Sequence, residues 1–152
     1  MNQLSLVISG RYPLGRQAVA SALTAQPDIT VLAVCGDIRD TLLQVQRLAP
    51  EIAVIEDNFP RHEYRRICGV IKEEGLPTKV LIAGEMPDNQ LLMAAVEAGA
   101  AGYVTGDLGL SGLASALRRV AAGETIVPPT MLGPLLGALV DRREKRNALA
   151  QR

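Results

Sequence analysis

The sequence predicts a doubly wound α/β fold, a five-stranded parallel sheet with helices on both faces and one further helix at the C-terminus. Three observations predict it. Short β-branched runs alternate five times with longer segments of helical periodicity. The strand runs are apolar with little alternation, as suits strands covered on both faces. Gly or Pro closes the helical segments.

The elements follow in order. Leu4 to Ser9 is a compact apolar run and the first strand. Pro13 sits where a helix can begin, and Val19, Ala22 and Leu23 recur at helical spacing. Ile29 to Cys35 is a second strand, and Asp37 to Leu48 a helix that Pro50 breaks. Ile52 to Ile55 is a third strand, followed by a helix over Arg61 to Glu74 that Gly75 and Pro77 close. Lys79 to Ala83 is a fourth strand. Asp88 is placed to cap a helix running to Ala98 and stopped by Gly99. Ala101 to Val104 is a short fifth strand, and Leu110 to Ala122 a helix with Leu110, Leu113, Leu117 and Val120 on one face. Thr130 to Arg146 reads as the additional helix, with a stripe of Leu132, Leu135, Leu136, Leu139 and Val140 before a heavily charged end.

Composition removes several classes of function. Sixteen basic residues balance sixteen acidic ones, whereas gripping nucleic acid needs a basic excess. Aromatic residues make up 3% with no Trp, which argues against base-stacking platforms. No apolar run reaches membrane-spanning length, and the first residues carry no signal-peptide pattern, so a cytoplasmic protein is expected. Cys35 and Cys68 stand outside any CxxC motif and read as thiols in a reducing compartment. His62 is the sole histidine and reads as a solvated loop or helix-start residue, so a Ser-His-Asp triad or a multi-histidine metal site is not expected. The first loop, Ser9 to Arg16, has neither G-x-G-x-x-G nor a Walker-type Gly-Lys-Thr. No enzyme, cofactor or metal is expected.

In doubly wound sheets, function gathers at the carboxyl ends of the strands. Those ends are Ser9-Gly10, Cys35-Gly36, Glu56-Asp57, Gly84-Glu85 and Thr105-Gly106. Several phrases around them follow a known pattern. Pro13-Leu14-Gly15-Arg16 is similar to an "HPL-x-R" helix start. Ala49 to Ile55 is similar to a "RPDVVLMD" strand, and Ala94 to Tyr103 to "ALEAGARGY". Arg118 to Glu124 is similar to "IRAVAAGE", and the following IVPPTML to "xLSPxVxxxL". In this order and spacing, over about residues 4 to 145, the chain resembles receiver domains of response regulators of the NarL/FixJ class, which carry LuxR-type DNA-binding domains.

The resemblance implies a flavodoxin-like (βα)5 fold with an extra C-terminal helix, a receiver-like domain over 1–127, and a C-terminal helix or linker over 128–152. It also implies a set of working positions: an acidic pair that holds Mg²⁺, an Asp phosphoacceptor, a Thr or Ser, and a Lys. This chain departs from that set at every position. The acidic-pair region reads Ser9, Gly10 and Arg11; the acceptor position is Glu56; the Thr/Ser position is Gly84; and the Lys position is Gly106. A one-residue slip would make Asp57 the acceptor but breaks the fit of Pro50 and Pro60. Phosphoryl transfer is positioning plus charge stabilisation, so these losses remove most of the means.

The expectation is a phosphorylation-independent pseudo-receiver of a transcription regulator, acting through dimerisation or protein contacts. DNA would be reached only through a helix-turn-helix domain not present in this chain. One alternative is a small-molecule sensor using the space that Gly10, Gly84 and Gly106 leave open, with Ser9 and Arg11 meeting an anion. Another is a non-standard phosphoacceptor at Glu56 or Asp57. The expected partner is a second copy. Leu91, Leu92 and Met93 stand in a row that one buried helix stripe cannot absorb, and with Leu132, Leu135, Leu136 and Leu139 they are the interface candidates. The resemblance implies that the face of the fourth helix, fifth strand and fifth helix, or that of the first and fifth helices, carries such contacts.

Overall fold

Each of the five apolar runs forms a strand, and each is followed by a helix. The computed structural model describes residues 3–60 and 63–150. Its elements are β1 (Leu4–Ser9), α1 (Pro13–Thr24), β2 (Ile29–Cys35), α2 (Ile38–Leu48), β3 (Ile52–Glu56) and α3 (Tyr64–Glu74). Then come β4 (Lys79–Gly84), α4 (Asn89–Ala98), β5 (Gly102–Thr105), α5 (Gly109–Ala121) and α6 (Leu132–Ala150). Short 3-10 turns occupy Gly106–Leu108 and Pro129–Met131. Arg61 and His62, expected at the start of the third helix, lie outside the described residues.

The strands form one parallel sheet in the order β2-β1-β3-β4-β5. This is the flavodoxin-like arrangement, and the direction of strand addition reverses between β1 and β3. Ser9 pairs with Ile55 there, so the carboxyl ends of β1 and β3 lie side by side. Strand alternation divides the core in two. Leu6, Ile8, Ile52, Val54 and Leu81 meet Leu23 of α1 and Leu113, Leu117 and Val120 of α5. Val7, Ala53, Ile55, Val80 and Ile82 meet α2, α3 and α4. That two-sided covering explains why the strand runs are apolar at successive positions.

Local chemistry sets the helix ends. Asp37 accepts from the Asp40 amide at 2.7 Å to cap α2. Asp88 accepts from the amides of Gln90 and Leu91 to cap α4. Gly75 and Gly99 close α3 and α4 in the left-handed region. Ala49 takes that conformation at φ 44° to close α2, immediately before Pro50.

The α4 and α6 expectations need correction. Leu91 and Leu92 are fully buried and Met93 is half-buried, so the first two belong to the domain's own core and not to an exposed interface. The physical reason is the number of neighbours. The sheet and α3 cover one part of α4, and α6 packs on another, so its apolar arc is wide. Leu135 is likewise buried, beside Met131 in the same core, and Arg142 of α6 pairs with Glu97 of α4. Met131 and Leu135, beyond position 127, thus pack with the core of the sheet and α4. Leu132, Leu136, Leu139 and Val140 stay exposed.

Substitution at neighbouring leucines separates the two sides of α6. Leu135→Ala is expected to cost about 2 kcal/mol or more, the range for truncating a buried leucine, and Leu136→Ala to stay within about 0.5 kcal/mol. Equilibrium denaturation in urea measures both; equal effects would mean α6 is not docked through Leu135.

Candidate functional site

The reversal of strand order between β1 and β3 opens a crevice at their carboxyl ends, and the residues there decide what it holds. Glu56 is the last residue of β3 and is half-buried. Its carboxylate lies directly over Gly10. A Cβ built on Gly10 would stand 1.9 Å from Glu56 Oε2 and 2.8 Å from its carboxyl carbon. Gly15, in the first turn of α1, faces the same carboxylate with room for ordinary contact at 3.8 Å. Glu56 thus needs a glycine at position 10 but not at position 15, and its carboxylate fills the space that a side chain at position 10 would take.

Arg16 of α1 completes the arrangement. Its Nη1 donates to the carbonyls of Gly10 at 3.2 Å and Arg11 at 3.3 Å, and its guanidinium lies against Gly36. Asn58 Nδ2 donates to Glu56 Oε2 at 3.4 Å, while Asn58 Oδ1 accepts from the Arg11 amide at 2.9 Å. Burial pushes the Glu56 carboxyl above the usual range, and nearby Glu85 adds to this; the Asn58 hydrogen bond and the Arg16 charge pull the other way.

The remaining expected positions separate. Ser9 is fully buried, and its hydroxyl shares a 2.6 Å hydrogen bond with Thr41 of α2. It ties β1 to α2 and does not face the crevice. Arg11 is exposed, with its guanidinium 5.7 Å from the centre of the Tyr12 ring. The cation beside the β1 carbonyls is therefore Arg16, where the sequence pointed to Arg11. The charge of Asp57 acts on the phenols of Tyr64 and Tyr103, where it adds to the upward push of burial. The Asp57 amide donates to Ala83 at 2.7 Å.

At the end of β4, a Cβ on Gly84 would stand 2.6 Å from the Tyr103 hydroxyl and 3.2 Å from the ring. Tyr103 is buried and donates to the Met86 carbonyl at 3.0 Å, holding its phenol over Gly84. Gly106 opens the 3-10 turn after β5, 3.4 Å from the Glu85 carbonyl by the same measure. Thr105 beside it is buried and donates to Asp107. The space expected above Gly10 and Gly84 is thus filled by Glu56 and Tyr103, which corrects the expectation of an open pocket at those two glycines.

Sequence reasoning missed Arg16, Asn58, Tyr103 and Thr41. Asn58 carried a signal as an Asx residue in a turn beside an acid, and Arg16 and Tyr103 stood in the quoted phrases without a role assigned to them. The cysteines offer no nucleophile. Burial pushes Cys35 up to about 12 and Cys68 up to about 11, so both stay protonated thiols near neutrality. A divalent cation does not fit the crevice. Mg²⁺ is held through carboxylates, Gly10 supplies none, and Arg16 lies on the adjoining carbonyls. Among the described residues, no group of three or more His, Cys, Asp or Glu gathers as a metal site. No described helix is long and apolar enough to cross a membrane.

The Glu56 environment predicts a pH signature. A carboxyl whose pKa is raised on folding binds more protons folded than unfolded, so its ionisation lowers stability as pH rises. That loss starts near the ordinary carboxylate pKa and is complete above the raised one. Glu56→Gln keeps the Asn58 contact and removes the charge. Its stability relative to the unsubstituted chain is therefore expected to improve as pH rises from the ordinary carboxylate range through the raised titration of Glu56, and to level off above it. Denaturation at a series of pH values measures this, and a difference that does not vary with pH would contradict it. Gly10→Ala should evict the carboxylate, and the titration midpoint of Glu56, followed by carbon NMR, should fall back toward the ordinary range. A midpoint that stays raised would show that the Gly10 space is not what buries the acid.

No model of a known protein family matches the chain. Curated relatives do. The chain is 24% identical over 140 residues to a protein named as the transcriptional regulatory protein NarL of Mycobacterium tuberculosis strain H37Rv, covering 92% of this chain and 65% of that one. The chain thus spans somewhat less than two thirds of the length of the curated relatives it matches most strongly. Among solved structures, the signal receiver domain of the M. tuberculosis response regulator NarL superposes with a TM-score of 0.76 at 22% identity, covering 82% of this chain and all of that one. A LuxR-family two-component response regulator from Aurantimonas superposes at 0.80 with 20% identity, covering 91% of this chain and 99% of that one. The chain has the fold of a response-regulator receiver, and its curated relatives are transcription regulators of the two-component kind.

Proposed function

We propose that this chain is an atypical receiver domain of a two-component-type transcription regulator that works without phosphoryl transfer, through dimerisation or protein contacts. One observation carries the reading: the chain's own side chains fill the two spaces where a receiver's chemistry needs room. Glu56 lies over Gly10, in the acidic-pair region, and Tyr103 lies over Gly84, at the Thr/Ser position. Bringing a phosphoryl group and a cation to Glu56 requires both to be displaced. No carboxylate pair waits there to hold the cation, and Gly106 offers no ammonium to meet the phosphoryl oxygens.

In this reading residues 1–127 are the receiver and 128–152 lead onward, with DNA contacted only by a separate helix-turn-helix domain. The likeness to regulators covering about nine-tenths of this chain supports the assignment. A signal then enters as a change of partner or oligomeric state, and the acidic side chain at position 56 serves packing in the crevice.

The decisive experiment is a backbone amide NMR titration with Mg²⁺ and then beryllofluoride, a phosphoryl mimic. The amides of Gly10, Glu56, Gly84 and Gly106 are expected to stay in place. Saturable, Mg²⁺-dependent shifts at those positions would overturn the proposal. Glu56→Gln and Asp57→Asn would then tell which carboxylate takes the group.

A further inference from the structure

We infer that the open edge of the sheet, strand β2, pairs antiparallel with β2 of a second copy of this chain and joins two five-stranded sheets into one. The inference rests on the reading of the domain as a protein-contact module and names the element that makes the contact.

The two edges of the sheet differ. The chain itself closes the β5 edge: Ile126 bridges to Gly102, the Tyr103 amide donates to the Ile126 carbonyl at 2.8 Å, and the Ile126 amide donates to the Ala101 carbonyl at 3.3 Å. β2 ends the strand order on the other side, and among the described residues no strand or bridge pairs with its outer side. Its faces are covered, since Val31 packs with the α1 side of the core and Ala33 with the α2 side. Even so, Thr30 is exposed, as are Leu32 by 41% and Val34 by 40%. A strand edge in water is a row of unpaired amides and carbonyls, and proteins blunt it with Lys, Pro or other charged residues. From Ile29 to Cys35 β2 has none of these.

The sequence of the edge selects its occupant. In an antiparallel pair about a two-fold axis, positions equally far to either side of the centre face each other. With the centre at Leu32, Thr30 faces Val34 and Val31 faces Ala33. The flanking acids fall opposite neutral residues, Asp28 on Gly36 and Asp37 on Pro27. No like charges meet, and β-branched and aliphatic side chains face one another across the seam. The register also has a marker. The pairing of β1 with β2 shifts between Leu6 and Val7, which leaves Leu32 as the extra residue of a bulge. A bulge bends its strand and raises its twist. A straight peptide would meet a kinked edge, whereas a second copy brings the matching kink to the same point. The assembly closes as well. Both of its outer edges are β5, each covered by Ile126, so strand addition stops at two copies. Seven residues of strand span about 23 Å, a small footprint, so the dimer is reversible and concentration-dependent.

Sedimentation velocity over a concentration series tests this on the full chain. Thr30→Lys and Leu32→Lys each set a charge on the exposed edge and are expected to weaken the dimer at least tenfold while helix content stays unchanged. Leu136→Lys, on the exposed stripe of α6, is expected to leave it intact. Under mild oxidation Leu32→Cys is expected to give a covalent dimer. Residues that face each other across an antiparallel pair bring their Cα atoms within disulfide reach, and the native Cys35 and Cys68 are buried. Leu136→Cys is expected to stay uncoupled. If the edge variants pair as the unsubstituted chain does and Leu32→Cys does not cross-link, β2 is the wrong element while the protein-contact reading stands. Species larger than a dimer would overturn the closure at β5, and a chain that remains monomeric at every concentration overturns the pairing itself. The absence of phosphoryl chemistry is decided separately by the Mg²⁺ and beryllofluoride titration.

Discussion

The pairing of β1 with β3 is the constraint on which the site depends. Strand order reverses there, so no helix crosses the carboxyl ends of these two strands, and a crevice is left that side chains must fill. The register that sets Ser9 against Ile55 brings Gly10 beside Glu56. Once those two residues are neighbours, a long acid on β3 demands the absence of a side chain on β1, and the Gly10 contact shows that demand met. The cost appears as the raised pKa of a partly desolvated carboxyl. Asn58 and Arg16 offset some of it: one is two residues along the same strand end, the other one turn into α1.

The same logic operates at the other side of the crevice with an aromatic group in place of an acid. Tyr103 occupies the volume over Gly84, and its hydroxyl finds a partner in the Met86 carbonyl, so a large buried side chain leaves no unpaired donor. Two glycines and two large side chains therefore interlock across β1, β3, β4 and β5. A side chain added at position 10 or 84 would collide with what now fills the space. Gly84→Thr must also move Tyr103, and a carboxylate at position 10 must also move Glu56.

Much of the fold was legible because its signals are local. Five apolar runs, the Asp37 and Asp88 caps and the Gly75 and Gly99 stops each act within a few residues, and the strands and helices fall where those signals put them. What was not legible depends on how many neighbours an element has. Leu91, Leu92 and Met93 read as too many apolar residues for one helix stripe, yet α4 is covered on more than one side. No pattern within α4 can announce that α6 will return to it. The site failed to show for a related reason. Glycines at strand ends read as open space, but whether space stays open is decided by side chains arriving from elsewhere, here Glu56 and Tyr103. Arg11 and Arg16 were separable only by direction: one leans on Tyr12 toward solvent, the other turns back onto the β1 carbonyls.

Glu56 and Tyr103 pack the crevice over Gly10 and Gly84 with the chain's own side chains. The domain's core is close-packed and its thiols are buried and protonated, so neither ligand entry at those glycines nor redox chemistry at the cysteines is served by the architecture. What varies over the molecule is its surface. Most of the helices are sheathed in charge, α6 adds an apolar stripe of its own, and α1 presents a neutral face beside α5. Charge on a helix costs little in water and guards against association, so selection for solubility alone has no reason to clear it from one helix and keep it on the others. The uneven distribution therefore needs a cause other than solubility, and it sets α1 apart from α2 and α3.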